Sequence, residues 1–159
     1  MEFEFWWLLA LPVFFGMGWM AAREAVASVS GRAPLLIGVT ILTSLADADL
    51  ARVGLAGSAA DNAERLARLA RECGLDGVVC SAEEAPRLRQ ATAADFLLVT
   101  PGIRLESDAR GDQARVVTPV EAVRRGADYL VIGRPVTQSR DPAATLARIR
   151  NSLMEGTAA

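Results

Sequence analysis

Every basic side chain in this 159-residue chain is an arginine: the 17 Lys+Arg positions are all Arg, and there is no lysine and no histidine. That removes His-based general acid–base work, Ser-His and Cys-His nucleophile pairs, lysine Schiff bases and histidine metal sites together. Asp, Glu, Tyr129, Cys73 and Cys80 remain for proton chemistry. The two cysteines have no metal-ligand spacing and form no recognisable pair, so they read first as reduced thiols near a strand and a helix end, with a disulfide or a reactive thiol as the alternatives. What arginine does well is grip anions, because its guanidinium is a fixed fork of donors that matches phosphate oxygens. The place for such a grip is Gly133-Arg134, directly after the apolar run Tyr129-Leu130-Val131-Ile132. Glycine there lets a backbone N–H approach a phosphate. A Gly-Arg pair by itself is also what a plain surface loop carries.

Two further segments could join it. Thr100-Pro101-Gly102-Ile103-Arg104 follows the run Phe96-Leu97-Leu98-Val99, and a long charged loop from Leu105 to Val117 comes next. Loops of that length are often lids, although a solvated excursion reads the same way. Gln113 could donate an amide hydrogen there, Arg104, Arg110 and Arg115 could supply charge, and Asp108 and Asp112 would oppose it. Ile41-Leu42-Thr43-Ser44 follows the first apolar run.

These segments need a scaffold that brings them together. Leu35 to Thr40, Gly77 to Cys80, Phe96 to Val99 and Tyr129 to Ile132 are continuous apolar runs, the pattern of strands buried on both faces of a parallel sheet. Helical patterns lie between them. Ala59 to Cys73 places Ala63, Leu66, Ala67, Leu69 and Ala70 on one stripe, with Ser58 as cap and Gly74 as stop. Ser81-Ala82-Glu83-Glu84 and Thr118-Pro119-Val120-Glu121 fit capping boxes. Asp47 to Val53 reads as a short helix, and Asp141-Pro142 opens a last one running to about Met154. The order β-α-β-α-β-α-β-α implies an α/β fold with four βα units, half of an eight-stranded barrel, and ligands at the carboxyl ends of the strands. Four strands cannot close such a barrel, so two sheet edges are left open to pairing.

Residues 1–23 read differently. Phe5 to Ala22 is an uncharged stretch of 18 residues with Trp6, Trp7 and Trp19 near its ends. Its first reading is a membrane anchor, with Arg23 and Arg32 placing the rest of the chain in the cytoplasm. A buried apolar helix and a signal peptide are the alternatives, the latter opposed by the acidic Glu2 and Glu4. Gly16-Met17-Gly18-Trp19-Met20-Ala21 fits a loose dinucleotide pattern without the strand-turn that would give it meaning. Net charge −2 and a pI near 5.2 argue against a nucleic-acid partner. The organisation expected is an apolar helix over 1–23 and a partial (β/α) barrel over 24–155.

Five segments, LLIGVTILTSL, CGLDGVVCSAEEA, LLVTPGIR, GDQARVVTP and DYLVIGRPVTQSRDP, occur in the order and spacing of the last four βα units of bacterial orotidine-5'-phosphate decarboxylases. Over roughly residues 20–154 the chain resembles that family, and Met20 to Ala27 resembles the helix before the fifth strand. MEFEFWWLLALPVFFGMGWMAAR resembles instead the membrane anchor of a tetratricopeptide protein of lipopolysaccharide assembly. The decarboxylase resemblance implies the C-terminal half of a (β/α)8 TIM barrel. It also implies a carboxy-lyase that converts orotidine 5'-monophosphate to UMP and CO₂ in pyrimidine biosynthesis, without cofactor or metal, as a cytoplasmic homodimer. It places Thr43 at the pyrimidine edge, Arg104 and Gln113 at the phosphate, and Gly133 and Arg134 completing the phosphate site. The family's catalytic D-x-K-x-x-D motif belongs to the first four βα units, and Asp47, Asp49 and Asp76 do not match it. The expectation is a substrate-binding half that does not decarboxylate alone. Its partner would be a second copy or a complementing half-barrel. The alternative is a non-catalytic, membrane-tethered phosphate-binding or interaction module.

Overall fold

The computed structural model describes residues 24, 27–28, 31, 33–105 and 117–156. Two compact units divide the chain, Met1–Leu35 and Leu36–Ala159. In the first, the Gly31 N–H donates to Ala27 O at 2.8 Å. The apolar stretch Phe5–Ala22 and the Gly16–Ala21 pattern lie outside the described residues.

The second unit alternates strands and helices. Strands are β1 (Ile37–Val39), β2 (Gly77–Val79), β3 (Leu97–Thr100) and β4 (Tyr129–Leu130). Helices are α1 (Asp47–Arg52), α2 (Ala59–Glu72), α3 (Ala85–Ala91), α4 (Pro119–Arg124), α5 (Arg134–Thr137) and α6 (Pro142–Gly156). The strands form one sheet in the order β1-β2-β3-β4, and every pairing is parallel. Val39 pairs with Val79, Val79 with Val99 and Val99 with Tyr129, so all four strands end at the same edge of the sheet. Strands β1, β2 and β4 are shorter than the apolar runs that announced them, and β3 has the length of its run, shifted one residue onward. The ends of those runs, such as Cys80, Phe96 and Ile132, pack or turn outside the ladder.

The helices sit where their caps and stops put them. Ser58 Oγ accepts from the Asp61 N–H at 3.1 Å to start α2, and Gly74 ends it at φ 79°, a left-handed turn that glycine adopts without strain. Thr118 Oγ1 accepts from the Glu121 N–H at the head of α4, with Pro119 in the first position. Asp141 Oδ1 accepts from the Ala144 N–H at the head of α6. One stripe assignment was wrong: Leu69 of α2 is exposed, while Ala59, Ala63 and Ala67 are buried. Leu69 lies six residues past Ala63, about a third of a turn off the apolar face at ~100° per residue.

The core lies on one face of the sheet. Val78 and Leu98 point into a cluster with Ala63, Ala67, Leu50 and Leu88 of the helices. Leu130 packs on a second cluster with Ala122, Ala127 and Ile103. The alternate set, Val39, Val79, Val99 and Tyr129, points the other way and is half-buried or exposed. The expectation of strands covered on both faces is therefore corrected: among the described residues no helix covers the second face. The continuous apolar runs have the composition of a barrel interior, which four strands cannot enclose.

Two βαβ units carry the same clamp at the amino end of the sheet. The Asp76 N–H donates to Leu36 O, and Asp76 Oδ2 accepts from the Leu36 N–H at 2.7 Å, joining β2 to β1. Asp128 repeats this across β4 and β3: its N–H donates to Leu98 O and its Oδ2 accepts from the Leu98 N–H at 2.7 Å. Each aspartate follows a glycine at positive φ, Gly74 or Gly126, two residues earlier. Arg89 adds to the second clamp, donating to Asp128 Oδ2 at 2.6 Å and to the Phe96 and Gly126 carbonyls.

An ion-pair cluster ties α3 to α2. Arg87 reaches both Asp61, at 2.8 Å, and Glu64, and Arg68 also pairs with Glu64. Hydrogen bonds from Ser58 and then Arg87 hold the Asp61 carboxyl below its ordinary range. Those from Arg68 and Arg87 do the same for Glu64. The guanidinium of Arg87 is held correspondingly more firmly protonated, Glu64 contributing most.

Candidate functional site

In a parallel sheet the residues that follow the strands share one rim, and this register aligns four of them. At the end of β1, Thr40 donates both its N–H and its Oγ1–H to Val79 O, pinning the turn that leads to Ile41, Leu42 and Thr43. Thr43 is buried. At the end of β3, Thr100 is fully buried and its hydroxyl donates to Tyr129 O at 3.2 Å. Gly102 then turns the chain at φ 78° and Ile103 bridges to Val117. Arg104 comes next; its N–H donates to Val117 O and its guanidinium donates to Ile103 O. The long loop thus leaves and returns at adjacent points of the rim. At the end of β4 come Val131, Ile132 and then Gly133-Arg134, which opens the four-residue α5.

Thr43, Arg104, Gly133 and Arg134 accordingly stand at the carboxyl edge of the sheet. They differ in setting. Thr43 is buried, Arg104 is half-buried and folded along its own backbone, and Gly133 and Arg134 are exposed. Gln113 lies outside the described residues, as do Arg110, Arg115, Asp108 and Asp112. Gly133 has φ −95°, which requires no glycine. A Cβ built on it would meet nothing within 4 Å, so what the glycine provides is open room in front of the backbone.

Reading the sequence missed a buried polar pair on the same rim. Ser81 and Glu84, after β2, are almost wholly buried. Glu84 Oε2 accepts from the Ser81 N–H at 3.0 Å, and Ser81 Oγ accepts from the Glu83 N–H. The S-A-E-E spacing announced a capping box, but only half of it forms: Glu84 takes the Ser81 N–H, while the Glu84 N–H donates to the Ser81 carbonyl rather than to its hydroxyl, and α3 starts after Glu84. Nothing in that spacing announced burial, which comes from the neighbouring strands. Cys80, beside them, is buried, while Cys73 is exposed.

The three aspartates that do not match the catalytic motif are engaged in the backbone. Asp47 Oδ1 accepts from the Ala59 N–H at 2.7 Å, Asp49 Oδ2 from the Ala46 N–H, and Asp76 forms its strand clamp. A groove lined by Arg68, Arg71, Glu72 and Ala91 lies at the carboxyl ends of α2 and α3. It shares no residue with the rim. Chemically, the rim offers an anion two guanidiniums and free approach to a backbone turn. It offers no lysine or histidine as proton donor.

The model of the orotidine 5'-phosphate decarboxylase / HUMPS family matches residues 5–149. The chain belongs to this family. The orotidine 5'-phosphate decarboxylase of Sodalis glossinidius (strain morsitans) is 59% identical over 136 residues, 86% of this chain and 54% of that protein. That of Escherichia fergusonii is 59% identical over 133 residues, 84% of this chain and 54% of that protein. A solved orotidine 5'-phosphate decarboxylase from Lactobacillus acidophilus superposes with a TM-score of 0.63 at 35% identity, over 77% of this chain and 50% of that one. The chain spans about half the length of the curated relatives it matches. The four parallel strands are consistent with part of the family's TIM barrel. The membrane-anchor resemblance of residues 1–23 gains no support, since the family match begins at residue 5, inside the apolar stretch. Among the described residues no helix is long and apolar enough to cross a membrane.

Proposed function

We propose that this chain is the substrate-gripping half of an orotidine 5'-phosphate decarboxylase. The whole enzyme is a carboxy-lyase that turns orotidine 5'-monophosphate into UMP and CO₂. The observation that carries the reading is the shared rim: Thr43, Arg104, Gly133 and Arg134 follow three strands that end at one edge of a parallel sheet. The chain holding that rim is 59% identical to named decarboxylases. In this reading Arg134 and the Gly133 backbone hold the phosphate, Arg104 adds charge, Gln113 closes over it from the long loop, and Thr43 meets the pyrimidine edge. No cofactor or metal takes part.

The same reading makes the chain alone inactive. Decarboxylation leaves a carbanion that needs a proton, and the lysine that the resemblance assigns to that task has no counterpart in a chain without lysine. The division at residues 1–23 and 24–155, a cytoplasmic location and a partner copy or complementing half-barrel belong to this proposal. The membrane-tethered module has no observation in its favour.

The test is binding and turnover on the full chain. Calorimetric titration with UMP and with inorganic phosphate should show binding, and Arg134→Ala should weaken it about tenfold, the loss of one charge-assisted contact of roughly 1.5 kcal/mol. Unchanged affinity in Arg134→Ala counts against the phosphate site. Release of CO₂ from orotidine 5'-monophosphate above a protein-free control contradicts the inactivity.

A further inference from the structure

The turn from Ser81 to Glu84 is the joint between the two hydrophobic clusters. Cys80 before it and Ala85 after it belong to the cluster with Leu50, Leu88 and Leu98. Ala82, inside the turn, belongs to the other, with Ile103 and Val117, and Ile132 packs against that second cluster. Ile103 is the residue before Arg104, and Ile132 is the residue before Gly133-Arg134. The packing around Ala82 therefore supports both arginine turns of the rim.

A buried carboxyl fixes Ala82. Glu84 is 2% exposed and Ser81 1%. Glu84 Oε2 accepts from the Ser81 N–H at 3.0 Å, closing a ring that contains Ala82 and Glu83. The Glu84 N–H donates to Ser81 O at 3.0 Å, and the Glu83 N–H donates to Ser81 Oγ at 3.2 Å. The Cys80 N–H donates to Val99 O, which ties the start of the turn to β3. Burying a carboxyl costs free energy that an apolar side chain of similar size does not. Stability alone gives no reason for a glutamate here, whereas a turn held in one geometry does.

We propose that Glu84 is a positioning residue for the phosphate rim. Its carboxyl holds the Ser81 N–H, that bond fixes Ala82, and Ala82 seats Ile103 and Ile132 so that Arg104 and Gly133-Arg134 are presented together. The role of those residues at a phosphate rests on the function proposed above. The coupling of Glu84 to their turns rests on the packing and the hydrogen bonds.

The experiment compares two variants of the full chain. Glu84→Met keeps the volume and removes the acceptor; Glu84→Gln keeps an acceptor oxygen. Hydrogen exchange is followed at the Arg104 amide, which donates to Val117 O, and at the Val131 amide, which donates to Thr100 O beside Ile132. Glu84→Met should speed both at least tenfold while the Leu98 amide in the core is unchanged, and Glu84→Gln should stay within about threefold of the parent. Affinity for UMP and for inorganic phosphate should fall about tenfold in Glu84→Met and hold in Glu84→Gln. Unchanged exchange at Arg104 and Val131 in Glu84→Met overturns the proposal. Equal acceleration at Leu98 does so too, because that marks general loosening. Equal effects of the two variants, or faster exchange with unchanged affinity, also overturn it. A parent chain that binds neither UMP nor phosphate refutes the phosphate reading instead, and the exchange pattern still decides the coupling. Should Glu84→Met not fold, the unaltered chain in rising urea gives the answer: the Ser81, Arg104 and Val131 amides should exchange through one common opening, and separate openings contradict the coupling.

Discussion

Replacing Asp128 with alanine should cost this protein about 2–4 kcal/mol of folding stability, from two interactions that a single carboxylate oxygen makes. Asp128 Oδ2 accepts from the Leu98 N–H at 2.7 Å and from Arg89 Nη2 at 2.6 Å. A hydrogen bond from a backbone N–H to a charged acceptor contributes roughly 1.5–3 kcal/mol, and its loss leaves a part-buried donor at the start of β3 without that partner. The ion pair is partly solvated, its side chains 25% and 34% exposed, so it adds only about 0.5–1 kcal/mol. Asp128→Asn separates the two: the amide oxygen can still accept from Leu98, but the charge facing Arg89 is gone, and the cost should fall to about 1–2 kcal/mol. Asp76→Ala removes the matching clamp on Leu36 and should fall in the range of roughly 1.5–3 kcal/mol. The assay is urea unfolding followed by circular dichroism at one fixed chain concentration, so that any association is held constant. An Asp128→Ala cost below about 0.5 kcal/mol, or an Asp128→Asn cost equal to it, refutes the division between backbone clamp and ion pair.

Two further outcomes follow from the geometry. Gly77→Ala should destabilise by about 2–3 kcal/mol or prevent folding, because the new Cβ would meet the Leu97 carbonyl oxygen and lie 2.6 Å from Leu97 Cβ, forcing β2 away from β3. Gly38→Ala should be milder, since its Cβ meets the movable end of Leu75 instead; equal costs in paired melting curves would contradict this. Acid should weaken the α2–α3 junction. Asp61 and Glu64 titrate below their ordinary values when folded, so their contribution is complete above the unfolded carboxylate range near pH ~4 and is lost as pH falls through the folded values. The gap in melting temperature between the parent chain and Arg87→Ala should therefore be constant near neutral pH and close in acid; a gap that persists at low pH would show that Arg87 acts by packing alone.

Local structure was legible in the residues because its causes are local. Ser58, Thr118 and Asp141 cap helices through backbone amides three residues away, Gly74 stops one through its own φ, and four short apolar runs bounded by turns read as strands. The candidate rim was legible for the same reason: each of its members follows a strand at short range. What the tertiary structure alone decided is long-range. It set the parallel register that brings Thr43, Arg104 and Arg134 to one edge, the burial of Ser81 and Glu84, and the Asp128 clamp on a strand 30 residues earlier. Among the described residues it also left Val39 and Tyr129, on the face away from the core, exposed. An apolar run reports that a side chain needs company on both faces; whether the chain can supply that company depends on how many strands share the curve, and four are too few to close it.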